Sequence, residues 1–189
     1  MNEASWPRTR VLTEDGRDVV AGSGDIGLIA HFGRGPIGYY KDPDKSAQTF
    51  PMIDGQRATI LGDYATVEDD GTITLLGRGS ACINTAGEKV FPEEVEDALR
   101  THPDVEDVAV VGLADDRYGE KVGALVVMRP GSVFDPATLT AHVKSRLAGY
   151  KAPKQVYAVD SLGRGPNGKL DYRMLKQLAV GLATAQTSP

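Results

Sequence analysis

The first 76 residues alternate short apolar runs with turn signals. Val11-Leu12 and Val19-Val20 stand on either side of Glu14-Asp15-Gly16, and the apolar run at 72–76 follows Glu68-Asp69-Asp70-Gly71. Short apolar runs that are separated by glycine-containing turns are typical of antiparallel strands. This part of the chain is therefore predicted to form a small antiparallel β sheet or partial barrel.

The pattern changes after Gly77-Arg78-Gly79-Ser80, where helix and strand signals begin to alternate. Pro92 followed by two glutamates predicts a helix start, because proline fits the first helical position and carboxylates favour the positive end of the helix dipole. Asp135 before Pro136 predicts a second helix, and Asp171 can cap a third. Strands are predicted from short apolar runs at 108–111, 122–128 and 155–159.

These elements predict an α+β protein, in which a small antiparallel β sheet or partial barrel is followed by a compact α+β unit with a short mixed sheet and about three helices. We expect the β-rich part to cover residues 1–79 and the α+β unit to cover residues 80–180. Residues 181–189 have little to bury and are predicted to be a flexible tail.

The composition of the chain excludes several classes of protein. The chain has 189 residues, a net charge of −5 and one cysteine. A single cysteine cannot form an internal disulfide, which excludes a disulfide scaffold. No Cys/His cluster has the spacing of a zinc site, so no metal site is predicted. The acidic balance argues against nonspecific nucleic-acid binding. No apolar run approaches the roughly 18 residues of a membrane span, and the N-terminus lacks an export pattern. We therefore expect a cytoplasmic protein.

Two glycine-rich stretches match the dinucleotide-binding pattern G-x-G-x-x-G by spacing alone. They are Gly22, Gly24 and Gly27, and then Gly33-x-Gly35-x-x-Gly38. The motif requires a strand before it and a helix N-terminus after it, to hold a pyrophosphate. Neither stretch has that context, so both are interpreted as turns.

Pro166-Asn167-Gly168-Lys169 is the most informative loop. Asn-Gly favours a tight turn, which would place the lysine on a protruding tip. Such an ammonium can neutralise charge on phosphate and carboxylate oxygens in a neighbouring cleft, although the same sequence is also a common exposed turn. The cations Lys144, Arg146, Lys151 and Lys154 likewise allow either phosphate contacts or a solvated face.

Four ordered segments together closely resemble the adenylate-forming superfamily, which includes acyl-CoA synthetases, peptide-synthetase adenylation domains and firefly luciferase. The resemblance extends from about Val11 to Leu178. Its segments are Gly38-Tyr39-Tyr40 with Ser46 and Phe50, Gly62-Asp63, Gly77-Arg78 followed by residues 84–96, and Pro166-Asn167-Gly168-Lys169.

The resemblance implies a role for each matched site residue. Asp63 would accept hydrogen bonds from the ribose hydroxyls of the nucleotide, and Arg78 would hold ribose or phosphate oxygens. Lys169 would be the catalytic lysine of adenylation. Ser80 would be the hinge about which the C-terminal lid rotates, and Ala86-Gly87-Glu88 would form the loop of the thioester step. Ser80 stands where Asp or Lys is usual, and Ala86 where glycine is common.

The family's Pro-Lys-Gly phosphate loop, its Tyr-Gly-x-Thr-Glu segment and its acyl pocket are not among the matched segments. The resemblance thus implies the C-terminal part of an AMP-forming acyl-CoA synthetase, either an excised piece or a truncated gene product, that is inactive alone. It is more similar to bacterial fatty-acyl or steroid-side-chain ligases than to peptide synthetases.

Several ligands and partners are implied for the complete enzyme. They are a carboxylic acid, ATP/AMP, CoA and Mg²⁺, with the phosphate and metal site in an N-terminal body supplied in cis or in trans. The alternative is a noncatalytic, lid-like interaction module that docks onto a separate partner. An exposed apolar patch on residues 1–76 would favour a piece of a larger protein or an obligate partner.

Overall fold

The structure is a computed structural model in which residues 9–187 are described. The chain divides into two compact units, Met1–Ser80 and Ala81–Pro189, and each unit has a five-stranded sheet of its own. The division follows Ser80, whereas the sequence places the boundary between residues 79 and 80.

The first unit is built around one long strand, β4. Its elements are β1 (Thr9–Leu12), β2 (Gly27–Phe32), α1 (Pro43–Thr49), β3 (Met52–Ile53), β4 (Gln56–Val67) and β5 (Ile73–Arg78). Strand β4 pairs with β2, β3 and β5, and β1 pairs with β2; every pair is antiparallel. Leu12, Ala30, Phe32 and Ala58 form a buried cluster. The predicted antiparallel sheet is confirmed.

Helix α1 is an element that the apolar pattern does not predict. Asp42 caps its start by accepting a hydrogen bond from the Lys45 amide at 3.0 Å, and Pro43 opens the first turn. Thr49 is the buried residue of this helix. The helix therefore has a start signal but no apolar stripe.

The second unit combines a mixed sheet with three α-helices. Its elements are β6 (Ile83–Thr85), β7 (Glu88–Val90), α2 (Pro92–Arg100), β8 (Val105–Asp115), β9 (Gly119–Met128), α3 (Pro136–Lys144), β10 (Gln155–Ala158) and α4 (Tyr172–Thr187). Strand β10 runs parallel to β9, and the other pairs are antiparallel. The predicted α+β fold class, with a mixed sheet and about three helices, is confirmed.

Helices cover both faces of the second sheet. Val108 and Val110 of β8 belong to a core cluster that includes residues of α2 and α3, whereas Ala109 and Val111 belong to a cluster that includes residues of α4. Alternate residues of a strand point to opposite faces. Both sets must therefore be apolar, which explains why the strands appear in the sequence as continuous apolar runs.

Helix α4 continues beyond the end that the sequence predicts. Residues 181–187 are helical, although a flexible tail is expected from residue 181. Leu182 and Ala183 pack, partly buried, against the cluster that α4 shares with the sheet. This packing accompanies the continuation of the helix to Thr187.

Candidate functional site

The two predicted nucleotide-binding residues lie side by side in the first unit. Asp63 on β4 and Arg78 on β5 are partners in the antiparallel register, and Arg78 Nε lies 3.1 Å from Asp63 Oδ1. The arginine also donates from Nη2 to the Leu61 carbonyl at 3.2 Å. Arg78 is exposed and Asp63 is half-buried. This arrangement offers an adjacent carboxylate and guanidinium to a polar ligand.

The residues around Arg78 constrain the chain as it leaves β5. Gly77 has a φ of +140°, which favours glycine. A Cβ on Gly79 would lie 2.6 Å from Cε2 of the Tyr64 ring, so this position needs glycine for space. The exposed Ser80, the predicted hinge, lies in the short 3₁₀ turn Gly79–Ala81. The constraints therefore lie immediately before the predicted hinge.

The predicted thioester-step loop is the tight hairpin turn between β6 and β7. Ala86 and Gly87 occupy its centre, with φ values of +52° and +87°. Positive φ at both central residues is the pattern of a type I′ turn. The Ala86 amide donates to the Tyr118 carbonyl at 3.0 Å, which ties this turn to the β8–β9 connection. Glu88 follows as the exposed first residue of β7.

Replacing Ala86 with glycine should stabilise the second unit by about 0.5–1 kcal/mol, because the left-handed backbone conformation is costly for a residue with a Cβ. The larger conformational freedom of glycine in the unfolded chain offsets part of this gain. The matched control is Gly87→Ala, which should destabilise it, since Gly87 needs positive φ although the space around it is open. Urea unfolding of both variants measures the change. Equal midpoints for Ala86→Gly and the parent chain would show that the turn is not strained.

Lys169 lies on a closely hydrogen-bonded turn. Gly168 has a φ of +74° and donates to the Gly165 carbonyl at 2.9 Å, and the Gly165 amide donates to the Lys169 carbonyl at 2.9 Å. The Lys169 amide donates to Asn167 Oδ1 at 3.1 Å. The lysine is exposed, and within residues 9–187 its ammonium has no carboxylate partner. An ordered backbone therefore carries a cation that is available to a ligand.

The cations between residues 144 and 154 have different surroundings. An open groove of about 410 Å³ lies beside α3, and Lys144 and Lys154 are among its lining residues. Lys151 is instead paired with Glu94 at 2.5 Å, and both side chains are largely buried. Two of these cations thus stay available to anions, whereas Lys151 has a structural partner.

Two features of the site escape sequence reasoning. The Arg164 guanidinium binds both the Asp107 carboxylate and the Gly168 carbonyl, next to Lys169. The Glu120 carboxylate accepts a hydrogen bond from the Asn84 amide at 3.2 Å, close to the Ala86 turn. The Arg164–Asp107 and Asn84–Glu120 contacts join residues that are 57 and 36 positions apart in the sequence, and no local motif indicates such pairs.

Within residues 9–187, no group of three or more His, Cys, Asp or Glu side chains is arranged to hold a metal ion. None of the helices in this part of the chain has the length and apolar character needed to cross a bilayer.

Comparison with known protein families finds one match in the second unit. Residues 94–169 match the model of the AMP-binding enzyme C-terminal domain. This region begins in α2 and ends at Lys169.

Curated relatives match most of the chain. A medium/long-chain-fatty-acid–CoA/3-oxocholest-4-en-26-oate–CoA ligase of Mycobacterium tuberculosis H37Rv is 55% identical over 170 residues, which are 90% of this chain and 31% of the relative. A 3-oxocholest-4-en-26-oate–CoA ligase of Rhodococcus rhodochrous is 51% identical over 89% of this chain and 30% of its own length. The chain thus spans about a third of these relatives.

Solved structures show the same relationship. ATP-bound MatB from Rhodopseudomonas palustris is 33% identical with a TM-score of 0.74, and the match covers 90% of this chain and 33% of MatB. The amide bond synthetase McbA from Marinactinospora thermotolerans is 31% identical with a TM-score of 0.76, over 91% of this chain and 35% of McbA. These matches confirm the resemblance that the four motifs indicate.

Proposed function

We propose that the chain is the C-terminal part of an AMP-forming acyl-CoA synthetase, because residues 94–169 match the model of the AMP-binding enzyme C-terminal domain. The complete enzyme converts a carboxylic acid, ATP and CoA to acyl-CoA, AMP and diphosphate. The observation that carries the proposal is the exposed ammonium of Lys169, which has no carboxylate partner among the described residues and lies on an ordered turn at the end of the matched region.

In the first step, a carboxylate oxygen of the acid attacks the α-phosphorus of ATP, and the bond from that phosphorus to the bridging oxygen of the leaving diphosphate breaks. Negative charge is concentrated on the oxygens of both reactants. The Lys169 ammonium, a compact cation with three N–H donors, bridges the acid and the nucleotide and stabilises this arrangement. Its exposed position lets it enter a neighbouring cleft.

Asp63 and Arg78 bind the nucleotide in this proposal. A carboxylate has two oxygens that can accept hydrogen bonds from the two ribose hydroxyls, and the Arg78 ion pair engages Oδ1. Arg78 orients the carboxylate and donates to ribose or phosphate oxygens. Since both side chains project from paired strands, their separation is fixed by the register of the sheet.

In the second step, the thiol sulfur of CoA attacks the acyl carbon, and the bond from that carbon to the AMP oxygen breaks. We propose that the chain turns at Ser80 between the steps, which withdraws Lys169 and brings Ala86, Gly87 and Glu88 beside the thiol. The exposed position of Ser80 at the division between the two units supports the hinge assignment.

The proposal extends to the acid substrate, the location of the protein and the metal ion. The names of the relatives favour a fatty acid or a steroid-side-chain acid as substrate, and we propose a cytoplasmic location. The described residues offer no metal cluster for the implied Mg²⁺. We place its site in the N-terminal body, as the resemblance implies.

A chimeric ligase tests the proposal. The matched C-terminal part of the Mycobacterium tuberculosis relative is replaced by this chain, and acyl-CoA formation from a fatty acid, ATP and CoA is measured. We expect the chimera to form acyl-CoA and the relative's truncated body alone to form little. A chimera that folds and binds ATP but forms no acyl-adenylate would contradict the proposal and favour the noncatalytic interaction module.

A further inference from the structure

The Arg164 side chain attaches the turn that carries Lys169 to strand β8. Arg164 Nε donates to Asp107 Oδ2 and Nη2 donates to Oδ1, each at 2.7 Å. Nη1 donates to the Gly168 carbonyl at 2.9 Å. The guanidinium thus binds a strand residue and the peptide immediately before Lys169 at the same time.

Asp107 is a firm attachment point. It lies in β8 opposite Val127 of β9, beside a register irregularity, and its Oδ1 also accepts a hydrogen bond from the Val108 amide at 2.9 Å. The hydrogen bonds from Arg164 hold the pKa of the Asp107 carboxyl below its ordinary value. The carboxylate is therefore ionised at neutral pH and its orientation is fixed.

The turn itself is rich in glycine, so its conformation depends on its hydrogen bonds. Gly163, Gly165 and Gly168 lie within four residues on either side of Arg164, and Gly163 and Gly168 adopt positive φ. Glycine gives the unfolded or loosened chain more conformations than any other residue. The contacts of Arg164 with Asp107 and the Gly168 carbonyl add to the hydrogen bonds within the turn in holding Lys169 in one place relative to the sheet.

We propose that Arg164 is a positioning residue for Lys169. Its guanidinium binds the Asp107 carboxylate of β8 and the Gly168 carbonyl at the same time, and this holds Lys169 at a fixed position relative to β8. The proposal rests on the adenylation role of Lys169. Lysine cannot replace Arg164 in this task, because a planar guanidinium can bind a carboxylate through two parallel bonds and still donate to a third oxygen, whereas an ammonium is a point charge.

A purely structural role for the pair makes a different prediction. The side chains of Arg164 and Asp107 are 37% and 25% exposed. Solvated ion pairs of this kind contribute about 0–1 kcal/mol to stability. If the pair serves the fold alone, its loss should therefore change both half-reactions little and equally.

The test compares Arg164→Lys with a control in the chimeric ligase. Arg164→Lys should lower kcat for acyl-adenylate formation by about 10- to 100-fold, because a misplacement of a catalytic group by about 1 Å can lower the rate about 100-fold. The KM for ATP should change little. Thioester formation from a synthetic acyl-adenylate should keep its rate. Arg129→Lys is the control, because the described residues give the Arg129 side chain no partner.

Two further measurements separate positioning from folding. In the chain itself, ¹⁵N relaxation of Gly168 and Lys169 should show greater mobility in Arg164→Lys, at an unchanged urea midpoint. In a Lys169→Ala background, Arg164→Lys should cause no further loss of adenylation.

The outcomes are distinguishable. Unchanged adenylation in Arg164→Lys, or equal loss of both half-reactions with a lower urea midpoint, would overturn the positioning role while Lys169→Ala still supports the proposed function. Unchanged adenylation in Lys169→Ala would instead contradict the proposed function.

Discussion

Replacing Lys169 by alanine in the chimeric ligase is expected to slow acyl-adenylate formation by about 10²- to 10³-fold, the scale on which one preorganised charged or hydrogen-bonding group contributes to a transition state. Thioester formation from a preformed acyl-adenylate should be much less affected, because the ammonium acts on the oxygens of the first step. Exchange of labelled diphosphate into ATP measures the first step, and CoA-dependent consumption of the synthetic acyl-adenylate measures the second.

Two variants complete this experiment. Lys169→Arg keeps the positive charge but not the compact shape, so it should retain more adenylation than Lys169→Ala. Arg129→Ala removes an exposed cation of the same unit and should leave both steps unchanged. An equal loss of the two half-reactions in Lys169→Ala would contradict the adenylation role and indicate general damage to the fold.

The second unit is well predicted from sequence because its signals are strong and local. Pro92 and Pro136 open helices where the sequence places them, and the apolar run at 108–111 is a strand. The first unit is harder. Gly62 and Asp63 interrupt the apolar sequence pattern of β4. The strand is nevertheless continuous over 12 residues, because it pairs with three other strands.

The site is predicted less completely than the fold. The Asn167-Gly168 turn can be inferred from residue chemistry, since Gly168 adopts the positive φ that such turns need. The roles of Lys169, Asp63 and Ser80 come from the family resemblance and stay predictions. The Arg164–Asp107 contact spans 57 positions, and it depends on a strand register that the sequence pattern does not specify.

A buried glutamate of α2 illustrates a structural role that motif matching cannot identify. Glu96 is 2% exposed, and its Oε2 pairs with Arg100 Nη2 at 2.9 Å. Its Oε1 accepts hydrogen bonds from the Val110 amide and the Tyr172 hydroxyl, each at 2.9 Å. Among the described strands β8 pairs with β9 alone, so Glu96 satisfies an amide on an open strand edge and also anchors the first residue of α4.

The neighbourhood of Tyr172 is consistent with this anchoring. Burial, followed by the negative charge of Glu96, raises the pKa of the Tyr172 phenol well above its ordinary value. The phenol therefore stays protonated and donates its hydrogen bond throughout the physiological range. Since Tyr172 begins α4 three positions after Lys169, Glu96 fixes the chain on the C-terminal side of the turn that carries Lys169.

Replacing Glu96 by leucine should destabilise the second unit by about 3–5 kcal/mol, because the Val110 amide and the Tyr172 hydroxyl would lose a buried acceptor, at about 1–3 kcal/mol each. Glu96→Gln should cost about 1 kcal/mol, since the amide oxygen can still accept both bonds and the Arg100 guanidinium, 39% exposed, can be hydrated. Tyr172→Phe, which removes one donor without leaving an acceptor unsatisfied, should also cost about 1 kcal/mol. Urea unfolding followed by far-UV circular dichroism gives the three values. If Glu96→Gln proved as destabilising as Glu96→Leu, the hydrogen bonds of Glu96 to β8 and α4 would not explain its contribution to stability. The charge of Glu96 and its ion pair with Arg100 would then stabilise this part of the fold.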